Sequence, residues 1–365
     1  MTERTIFITG GGGFIGRQIV ARHLAREGVT LYLLEHRRFA ERLRRFVRTA
    51  VPDDAARRAT VVEGDITQPG LGLDKETAAA IRGSMTHALH LAAVYDLGVP
   101  AAVAQRINVD GTRHVLDFVE SAPRLVRFGH VSTCAVSGTF AGTFTEDDFD
   151  KGQTFGNHYE ETKHLSEKLV RERRDAIPTV IFRPGYVVGD SKTGAFDKLD
   201  GPYFALRLIA RNLHWVVPDA PDALCNAPPV DYVADACVCL LEDADSTGRV
   251  FHLTDPDPLT YNEFFDAACA AWGKTKPLLR LPLWMIRPLF RLGLVAKVYG
   301  MPYYVLVYSG LRVRYDAKQA VAALARYGIR CPRASEYLPA LVAWFKEHYR
   351  DEDIRKGELY REIAS

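Results

Sequence analysis

Short apolar runs alternate with longer amphipathic stretches along most of the chain. Runs rich in Val, Ile, Thr and Phe predict buried strands, and stretches with apolar residues every three or four positions predict helices. The predicted strands are Thr5–Thr9, Val29–Leu34, Thr60–Val62, Thr86–Leu91, Leu125–Val131, Thr179–Phe182 and Val250–Leu253. The predicted helices are Phe14–Glu27, Arg38–Ala50, Pro100–Glu120, His158–Arg174, Tyr261–Ala271 and Glu336–Tyr349. Because strands and helices alternate, we expect an α/β fold with a doubly wound parallel sheet and helices on both faces.

The pattern loosens after Pro184. Two stretches, Gly185–Pro202 and Pro218–Pro229, are rich in Gly, Pro and Asp and predict irregular structure. Beyond them the alternation resumes, which predicts that the sheet gains a late strand. The expected division is a sheet domain at 1–184, a smaller and mostly helical lobe at 185–350 with segment 230–255 returning to the sheet, and a charged tail at 351–365.

The composition is that of an ordinary globular protein. The 47 Lys and Arg residues nearly balance the 45 Asp and Glu residues, and 47% of the residues are hydrophobic. A near-neutral chain lacks the electrostatic footprint of a nucleic-acid-binding protein. The chain opens on a predicted strand, not on an apolar secretion signal, and it has no uncharged apolar run of roughly 18 residues, so we expect a cytoplasmic location. Its six Cys residues lack metal-ligand spacing, so we expect reduced thiols and no metal site.

A glycine-rich loop joins the first predicted strand to the first predicted helix. Gly10, Gly13 and Gly16 have the spacing GxxGxxG. Without side chains, the first two let the backbone turn tightly and approach a pyrophosphate, and the third lets the helix lie close to the strand. The N-terminus of the helix then faces the anion. A strand, this loop and an amphipathic helix in that order predict a dinucleotide site.

The ends of the following strands predict the rest of that site. Glu35 lies nineteen residues after Gly16, near the position where an acidic side chain accepts hydrogen bonds from both hydroxyls of the adenosine ribose. Its charge disfavours a 2′-phosphate, although Arg37 and Arg38 follow at once and could pair with one. We therefore expect NAD(H) to be favoured over NADP(H). Further candidates, after the third and fourth strands, are Asp65, Ile66, Ala92 and Ala93.

Tyr159 and Lys163 lie four residues apart in a predicted helix, so their side chains share one face. A free Tyr has a pKa near 10, about three units too high for acid–base work at neutral pH. A neighbouring ammonium group stabilises the phenolate, and the positive charge of an oxidised nicotinamide adds to this effect. Such a pair arises easily by chance on a surface, but here it follows a dinucleotide loop, and Ser132 and Thr133 end the intervening strand. We therefore predict an acid–base site.

Together these motifs resemble the extended short-chain dehydrogenase/reductases over roughly residues 4–255. The matching blocks are Thr9-Gly10-(x)2-Gly13-Phe14-Ile15-Gly16, His90-Leu91-Ala92-Ala93, Asn108-Val109-Asp110-Gly111-Thr112, Val131-Ser132-Thr133, Tyr159-(x)3-Lys163, Arg183-Pro184-Gly185 and Val230–Ala236. The resemblance implies a Rossmann-type sheet, with Tyr159 as proton donor or acceptor and Lys163 on the nicotinamide ribose. It implies that the Thr133 hydroxyl holds the reacting oxygen, with Ser132 as the alternative. The expected cofactor-binding residues are Gly10, Gly13, Phe14, Ile15, Gly16, Glu35, Arg37, Asp65, Ile66, Ala92, Ala93, Asn108, Lys163 and Pro184. Of these, Asn108 is expected to be a structural polar residue near the site.

Departures from the family pattern narrow the expected chemistry. Sugar-nucleotide dehydratases of this superfamily carry an Asp-Glu pair after the catalytic Thr, whereas Cys134-Ala135 follows here, which argues against elimination. The block Gly64–Pro69 looks more like fatty-acyl and thioester reductases, or 3β-hydroxysteroid dehydrogenases, than like epimerases. Acyl reductases commonly carry an Arg near the end of the second strand. Here that role would fall to His36 or Arg37, and Glu35 argues against it. That difference favours the steroid-dehydrogenase-like hypothesis.

The C-terminal region indicates the kind of substrate. Residues 267–315 contain no Asp or Glu, and basic residues there lie among apolar ones such as Trp284 and Phe290. A basic, aromatic, amphipathic segment can lie on an anionic membrane, so 278–307 predicts a peripheral membrane contact. The alternative is a lobe that buries its apolar side chains against the sheet and exposes its Arg stems. Both alternatives give an apolar substrate site, unlike the polar lobe expected for a sugar nucleotide.

The sequence thus predicts an NAD(P)-dependent oxidoreductase that moves a hydride between nicotinamide and a secondary alcohol or ketone. The substrate is expected to be hydrophobic and lipid-like: a 3β-hydroxysteroid, with decarboxylation where a β-carboxylate is present, or a long-chain or polyketide compound. One alternative is an acyl-thioester reductase, and another is a non-catalytic NAD(P)-sensing protein. The expected partners are a small hydrophobic substrate and a second copy in a homodimer, without nucleic acid.

Overall fold

A computed structural model describes residues 3–95, 98–197, 201–291 and 310–350. Its strands are β1 (Arg4–Thr9), β2 (Val29–Glu35), β3 (Ala59–Glu63), β4 (His87–His90), β5 (Arg127–Val131), β6 (Gly142–Phe144), β7 (Thr179–Pro184), β8 (Val216–Asp219), β9 (Val250–Leu253), β10 (Leu279–Pro282) and β11 (Val313–Tyr315). Its helices are α1 (Phe14–Leu24), α2 (Arg37–Ala50), α3 (Asp53–Ala56), α4 (Lys75–Ser84), α5 (Ala101–Ala104), α6 (Gly111–Glu120), α7 (His158–Glu172), α8 (Tyr203–Ala210), α9 (Val230–Glu242), α10 (Tyr261–Trp272), α11 (Leu283–Arg291), α12 (Lys318–Ala325) and α13 (Ala334–His348).

Seven strands form the central sheet in the order β3-β2-β1-β4-β5-β7-β9, and all its pairs are parallel. Apolar side chains cover both faces because helices flank the sheet on both sides. One face carries Ile6, Ile8, Leu31, Leu33 and Phe182, and the other carries Phe7, Leu34, Ala88, Phe128 and Ile181. The predicted α/β, Rossmann-type fold is confirmed, and β9 is the late strand expected at Val250–Leu253.

The order of the strands reverses beside β1, since β2 lies on one side of it and β4 on the other. The chain therefore leaves β1 and β4 in opposite directions and opens a crevice at their carboxyl ends. A π-helical turn at Gln105–Asp110 joins α5 to α6, so the single helix predicted over Pro100–Glu120 is locally widened. Such turns inside helices are frequently found at functional sites.

A second body of packed residues lies beyond β7. Helices α8, α10 and α13 share an apolar core that includes Phe196, Phe264 and Phe345. Two short parallel pairs, β8 with β10 and β6 with β11, join distant parts of the chain. These strands of three or four residues are too short for a recognisable alternation in the sequence, and none of them was predicted. The pair of β6 and β11 brings Val313–Tyr315 to the segment after β5, where Tyr315 Oη shares a hydrogen bond with Ser137 Oγ.

Large apolar side chains are exposed along β10 and α11. Leu278 is 79% exposed and Trp284 is 73% exposed, with Trp215, Leu279 and Met285 also exposed. The basic residue Arg287 is exposed on the same helix. The predicted membrane contact covers 278–307, and its part from 292 onward lies outside the described residues, as does the tail at 351–365. Membrane contact therefore stays a prediction, as does the homodimer. Among the described residues, no helix is long and apolar enough to cross a bilayer.

Candidate active site

A cleft of about 1020 Å³ lies at the carboxyl ends of the central strands. Its lining includes the last residues of, or the first residues after, β1, β2, β4, β5 and β7. This position is the crevice that the reversal of strand order creates, where ligands of open α/β sheets bind. All the site residues predicted from the sequence line the cleft, with the exception of Asn108.

The glycine loop follows β1 and fits a pyrophosphate. Gly10 has a φ of +76°, and a Cβ there would lie 2.6 Å from the backbone nitrogen of Ala92. A Cβ on Gly16 would lie 2.2 Å from the carbonyl oxygen of Gly10, so only glycine allows α1 to start this close to the strand. Gly13 caps α1 without a side-chain hydrogen bond, which leaves the first amides of the helix directed toward the cleft. Phe14 and Ile15 also line the cleft.

Opposite charges meet at the end of the cleft next to β2. The two carboxylate oxygens of Glu35 accept backbone N–H groups, one from Gly12 at 3.2 Å and one from His36 at 3.0 Å. Burial raises the pKa of Glu35, and these two hydrogen bonds oppose the shift. Arg37, together with Arg38 and Arg42, lines the same end of the cleft. Beyond them the lining includes Asp65, Ile66, Ala92 and Ala93. The lining residues therefore fit a dinucleotide, and carboxylate and guanidinium groups both lie at the end of the cleft where the sequence predicts the adenosine ribose.

Helix α7 carries the predicted acid–base pair. The side chain of Asn157 caps this helix by accepting the backbone N–H of Glu160 at 3.0 Å. Tyr159 is 9% exposed, and its ring lies edge-on to Tyr95 with 5.0 Å between the ring centroids. One turn later, Lys163 Nζ donates a hydrogen bond to the carbonyl oxygen of Val131 at 2.9 Å. Both side chains line the cleft, as their spacing predicts.

The ammonium group of Lys163 is buried beneath the cleft. Burial lowers its pKa to about 8, and Glu167 on the same helix partly opposes that shift. Burial lowers the pKa of His90 to about 3, and the positive charge of Lys163 contributes to the same shift. Burial, with Lys163 and His90, also lowers the pKa of His130 well below its usual value. Lys163 therefore carries the positive charge at this point while both imidazoles stay neutral.

The two hydroxyl groups after β5 have different surroundings. Ser132 Oγ is buried and donates to Glu167 Oε2 at 2.6 Å. Thr133 is partly exposed to the cleft, and its Oγ1 accepts the backbone N–H of Ala135 at 3.2 Å. A hydroxyl that accepts from the backbone keeps its own hydrogen for a ligand oxygen. The geometry therefore favours Thr133 over Ser132 as the donor to a reacting oxygen.

A fully buried ion pair lies directly behind these groups. Arg183 Nη2 donates to Glu167 Oε1 at 2.7 Å, and Arg183 Nε donates to Glu167 Oε2 at 3.1 Å. Arg171 Nε adds a bond to Glu167 Oε1 at 2.9 Å. Burial opposes ionisation of Glu167, but Arg183, Arg171 and the Ser132 hydroxyl outweigh it and lower its pKa to about 2. Pro184, which lines the cleft, follows Arg183 directly.

Asn108 does not line the cleft, so its predicted direct contact with the cofactor is corrected. Its Oδ1 accepts the backbone N–H of Val94 at 2.8 Å, and its Nδ2 donates to the Val94 carbonyl and to Thr162 Oγ1. These bonds join the loop after β4 to α7. The geometry gives Asn108 the role of a structural polar residue near the site, because its bonds position the segments that carry Tyr95 and Tyr159.

The sequence did not indicate the wall of the cleft that is formed by residues beyond β7. Its residues come from segments far apart in the chain and belong to no shared motif. They are Tyr186, Tyr203, Leu224, Asn226, Tyr261, Leu311, Val313 and Tyr315. Only long-range packing and the pairing of β6 with β11 bring them together, so no local signal could have found them.

Comparison with known proteins places the chain in a family. A family model described as male sterility protein, an NAD-binding family, matches residues 8–237, which is more than half of the chain. The chain belongs to the male sterility protein family. This membership confirms the predicted extended short-chain dehydrogenase/reductase, an oxidoreductase type that binds NAD(P).

The relatives of this chain include large reductases. It is 26% identical over 320 residues to the fatty acyl-CoA reductase wat of Drosophila melanogaster, covering 73% of this chain and 58% of that protein. It is 28% identical over 290 residues to the L-2-aminoadipate reductase large subunit of Penicillium chrysogenum, covering 73% of this chain and 20% of that protein. The chain thus spans between a fifth and about three fifths of these relatives' lengths.

A solved structure shares the whole fold. The terminal R domain from the myxalamid PKS-NRPS biosynthetic pathway superposes with a TM-score of 0.81 at 26% identity, covering 96% of this chain and 92% of that one. An NAD complex of UDP-glucuronic acid 4-epimerase from Bacillus cereus has a TM-score of 0.68 at 18% identity, covering 95% and 98%, which shows a shared fold alone. These comparisons do not support the steroid-dehydrogenase-like hypothesis, and they support the acyl-thioester alternative better.

Replacing Tyr159 by Phe removes the hydroxyl and keeps the ring that packs on Tyr95. Because general acid–base groups contribute about 10²- to 10⁴-fold, kcat is expected to fall at least about 100-fold. NADH affinity, measured by fluorescence titration, is expected to change less than about twofold. Lys163→Ala is expected to lower kcat and to weaken NADH binding. Tyr32→Phe, which removes a hydroxyl outside the cleft, serves as the control. Near-normal turnover in Tyr159→Phe would show that the pair is incidental.

Replacing Glu167 by Gln leaves the buried charge of Arg183 without its partner. Breaking a buried pair in this way costs about 3–5 kcal/mol of unfolding free energy. Because the folded-state pKa of Glu167 is lowered from 4.5 to about 2, its stabilisation is complete above pH 4.5 and is lost as the pH falls toward 2. Urea unfolding between pH 3 and 7 measures both effects.

The double variant Glu167→Leu with Arg183→Met is the matched control for that experiment. It removes both charges, so it is expected to be closer to the wild type in stability than Glu167→Gln alone. If Glu167→Gln and the wild type had the same free energy of unfolding at pH 7, the buried pair of Glu167 and Arg183 would not stabilise the fold as expected.

Proposed function

We propose that this protein reduces an acyl thioester of a hydrophobic acid to the aldehyde with a reduced nicotinamide dinucleotide. The observation that carries the proposal is the cleft itself, in which Thr133, Tyr159 and Lys163 face a wall of mostly apolar and aromatic side chains. A hydrophobic acyl chain suits that wall because burying its surface is favourable. The proposal is also supported by the names of the relatives, a fatty acyl-CoA reductase and a terminal R domain among them.

The chain's own residues act on the carbonyl oxygen of the thioester. The Thr133 hydroxyl donates to that oxygen and polarises the carbonyl group. A bound reduced dinucleotide supplies the hydride that the carbonyl carbon accepts. Tyr159 gives its proton to the oxygen, which produces a hemithioacetal, and Lys163 stabilises the resulting phenolate. The phenolate then takes the hydroxyl proton back while the C–S bond breaks, so aldehyde and thiolate leave and the thiolate gains a proton from solvent.

The same residues would serve the reduction of a ketone or the oxidation of a secondary alcohol, because neither needs a different acid–base group. Function therefore depends on which carbonyl compound the wall accepts, not on the fold. The distinguishing feature of a thioester is the thiol leaving group. Cys134-Ala135 after Thr133 still argues against the elimination chemistry of sugar-nucleotide dehydratases.

Octanoyl-CoA and palmitoyl-CoA with NADH or NADPH provide the direct test. We expect oxidation of the dinucleotide at 340 nm, one free thiol per dinucleotide at the aldehyde stage, and an aldehyde that a hydrazine reagent traps. Tyr159→Phe is expected to abolish all three signals. A 3β-hydroxysteroid with NAD⁺ is the comparison substrate. Turnover of the steroid without release of thiol from either thioester would overturn the proposal.

We propose further that this protein prefers NAD(H) over NADP(H) and that Glu35 causes this preference. Its carboxylate lies at the ribose end of the cleft and repels a 2′-phosphate, whereas Arg37 attracts one. Glu35→Ala is therefore expected to tighten NADPH binding about tenfold relative to NADH, equivalent to about 1.4 kcal/mol. Arg37→Ala is expected to shift the ratio in the opposite direction.

Glu41→Ala is the matched control for this titration, because it removes an exposed carboxylate from α2, where Glu41 pairs with Arg48 outside the cleft. All titrations use the same ionic strength, since exposed charges are screened by salt. NADPH binding at least about tenfold tighter than NADH in the unmodified protein would contradict the role given to Glu35.

A further inference from the structure

Residues 224–227, which follow β8, contribute to one side of the cleft, and hydrogen bonds to other segments hold their backbone in place. The backbone N–H of Tyr186 donates to the carbonyl of Asn226 at 2.8 Å, and that of Cys225 donates to the carbonyl of Leu259 at 2.8 Å. Tyr337 Oη donates to the carbonyl of Ala227 at 2.7 Å. These bonds fix the backbone of Asn226 from three directions. The backbone that carries the Asn226 side chain is therefore held rigidly.

Asn226 lines the cleft next to Gly185. A Cβ on Gly185 would lie 2.7 Å from the Asn226 carbonyl and 3.4 Å from its Cβ, so the two segments touch. Asn226 is 4% exposed, and its Oδ1 is buried without a hydrogen-bond partner among the described residues. Leaving a buried amide oxygen unpaired is unfavourable, which points to a partner that arrives with a ligand.

Two hydroxyl groups of the wall take part in hydrogen bonds within the protein. The Tyr203 hydroxyl accepts the backbone N–H of Gly189 at 2.6 Å. The Tyr315 hydroxyl shares a hydrogen bond with Ser137 Oγ at 2.9 Å. Around them, Leu224, Leu311 and Val313 are apolar. Asn226 thus offers both a donor and an acceptor within a wall that otherwise favours apolar groups.

We propose that Asn226 recognises an amide group of a bound ligand, with its acceptor and donor atoms paired to the complementary atoms of that amide. Two ligands of this protein bring an amide to the cleft. One is the carboxamide of the nicotinamide ring, since Asn226 adjoins Gly185 and Gly185 follows Pro184 at the end of β7. The other is an amide in the pantetheine arm of a CoA thioester, and this second source rests on the proposed function.

The variant Asn226→Leu keeps the approximate volume and removes both hydrogen-bonding atoms. Four ligands separate the two sources: NADH, its 3-acetylpyridine analogue, which has a methyl ketone in place of the carboxamide, octanoyl-CoA, and S-octanoyl-2-mercaptoethanol, which has no amide. If the carboxamide is the partner, the variant loses about tenfold in NADH affinity while its affinity for the analogue changes less than about twofold. If the arm is the partner, KM for octanoyl-CoA rises about tenfold while the amide-free thioester is unaffected.

Leu224→Ala on the same segment is the matched control, because it removes an apolar contact and is expected to affect both thioesters alike. Asn226→Asp, which keeps an acceptor and loses the donors, replaces the Leu variant if thermal melting shows that the latter is unfolded. A folded variant that binds all four ligands within about twofold of the wild type would overturn the proposal. If the unmodified protein releases no thiol from either thioester, the proposed function fails, and the two dinucleotides alone still decide whether Asn226 binds an amide.

Discussion

The buried pair of Glu167 and Arg183 is the interaction on which the geometry of the site depends. Glu167 lies one turn after Lys163, Arg183 immediately precedes Pro184, and the Ser132 that donates to Glu167 immediately precedes Thr133. Each of the three segments that approach the reacting oxygen is thus joined to one carboxylate. Because both charges are fully buried, displacement of any segment would leave a charge unpaired in a low dielectric. The positions of Thr133 and Lys163 are coupled through that cost.

The same burial controls charge at the base of the cleft. Lys163 keeps its ammonium near neutral pH, with a pKa of about 8, because Glu167 offsets part of its desolvation. The imidazoles of His90 and His130 are desolvated without such compensation and stay neutral. The positive charge is therefore localised on Lys163, and a nearby positive charge favours the phenolate form of a Tyr. Packing of the sheet therefore supplies the electrostatics that the acid–base pair needs.

Local patterns in the sequence predicted the central sheet and the chemical groups. The strand at Thr179–Phe182, the glycine loop and the spacing of Tyr159 and Lys163 each depend on neighbouring residues, so they are visible without the fold. Asn108 was expected to be a structural polar residue near the site, but its block of the sequence did not indicate that its amide bonds to Val94 and Thr162. Strand β11 was missed for a related reason: its three residues form a strand only because β6 lies beside them.

The predicted substrate class depended on Glu35, and this residue lies at the end of the cleft next to β2, away from the wall of apolar and aromatic side chains. Glu35 bears on the ribose of the cofactor, and its carboxylate contacts Gly12 in the phosphate loop, not the substrate wall. In its proposed role Glu35 therefore bears on the choice between dinucleotides and carries no physical information about a steroid or a thioester. Under the proposed function, the wall that selects the substrate is assembled from Tyr186 to Tyr315 by tertiary packing. A prediction of substrate has to start from that wall, and within it the amide of Asn226 is the group whose hydrogen bonding a purely apolar ligand would leave unsatisfied.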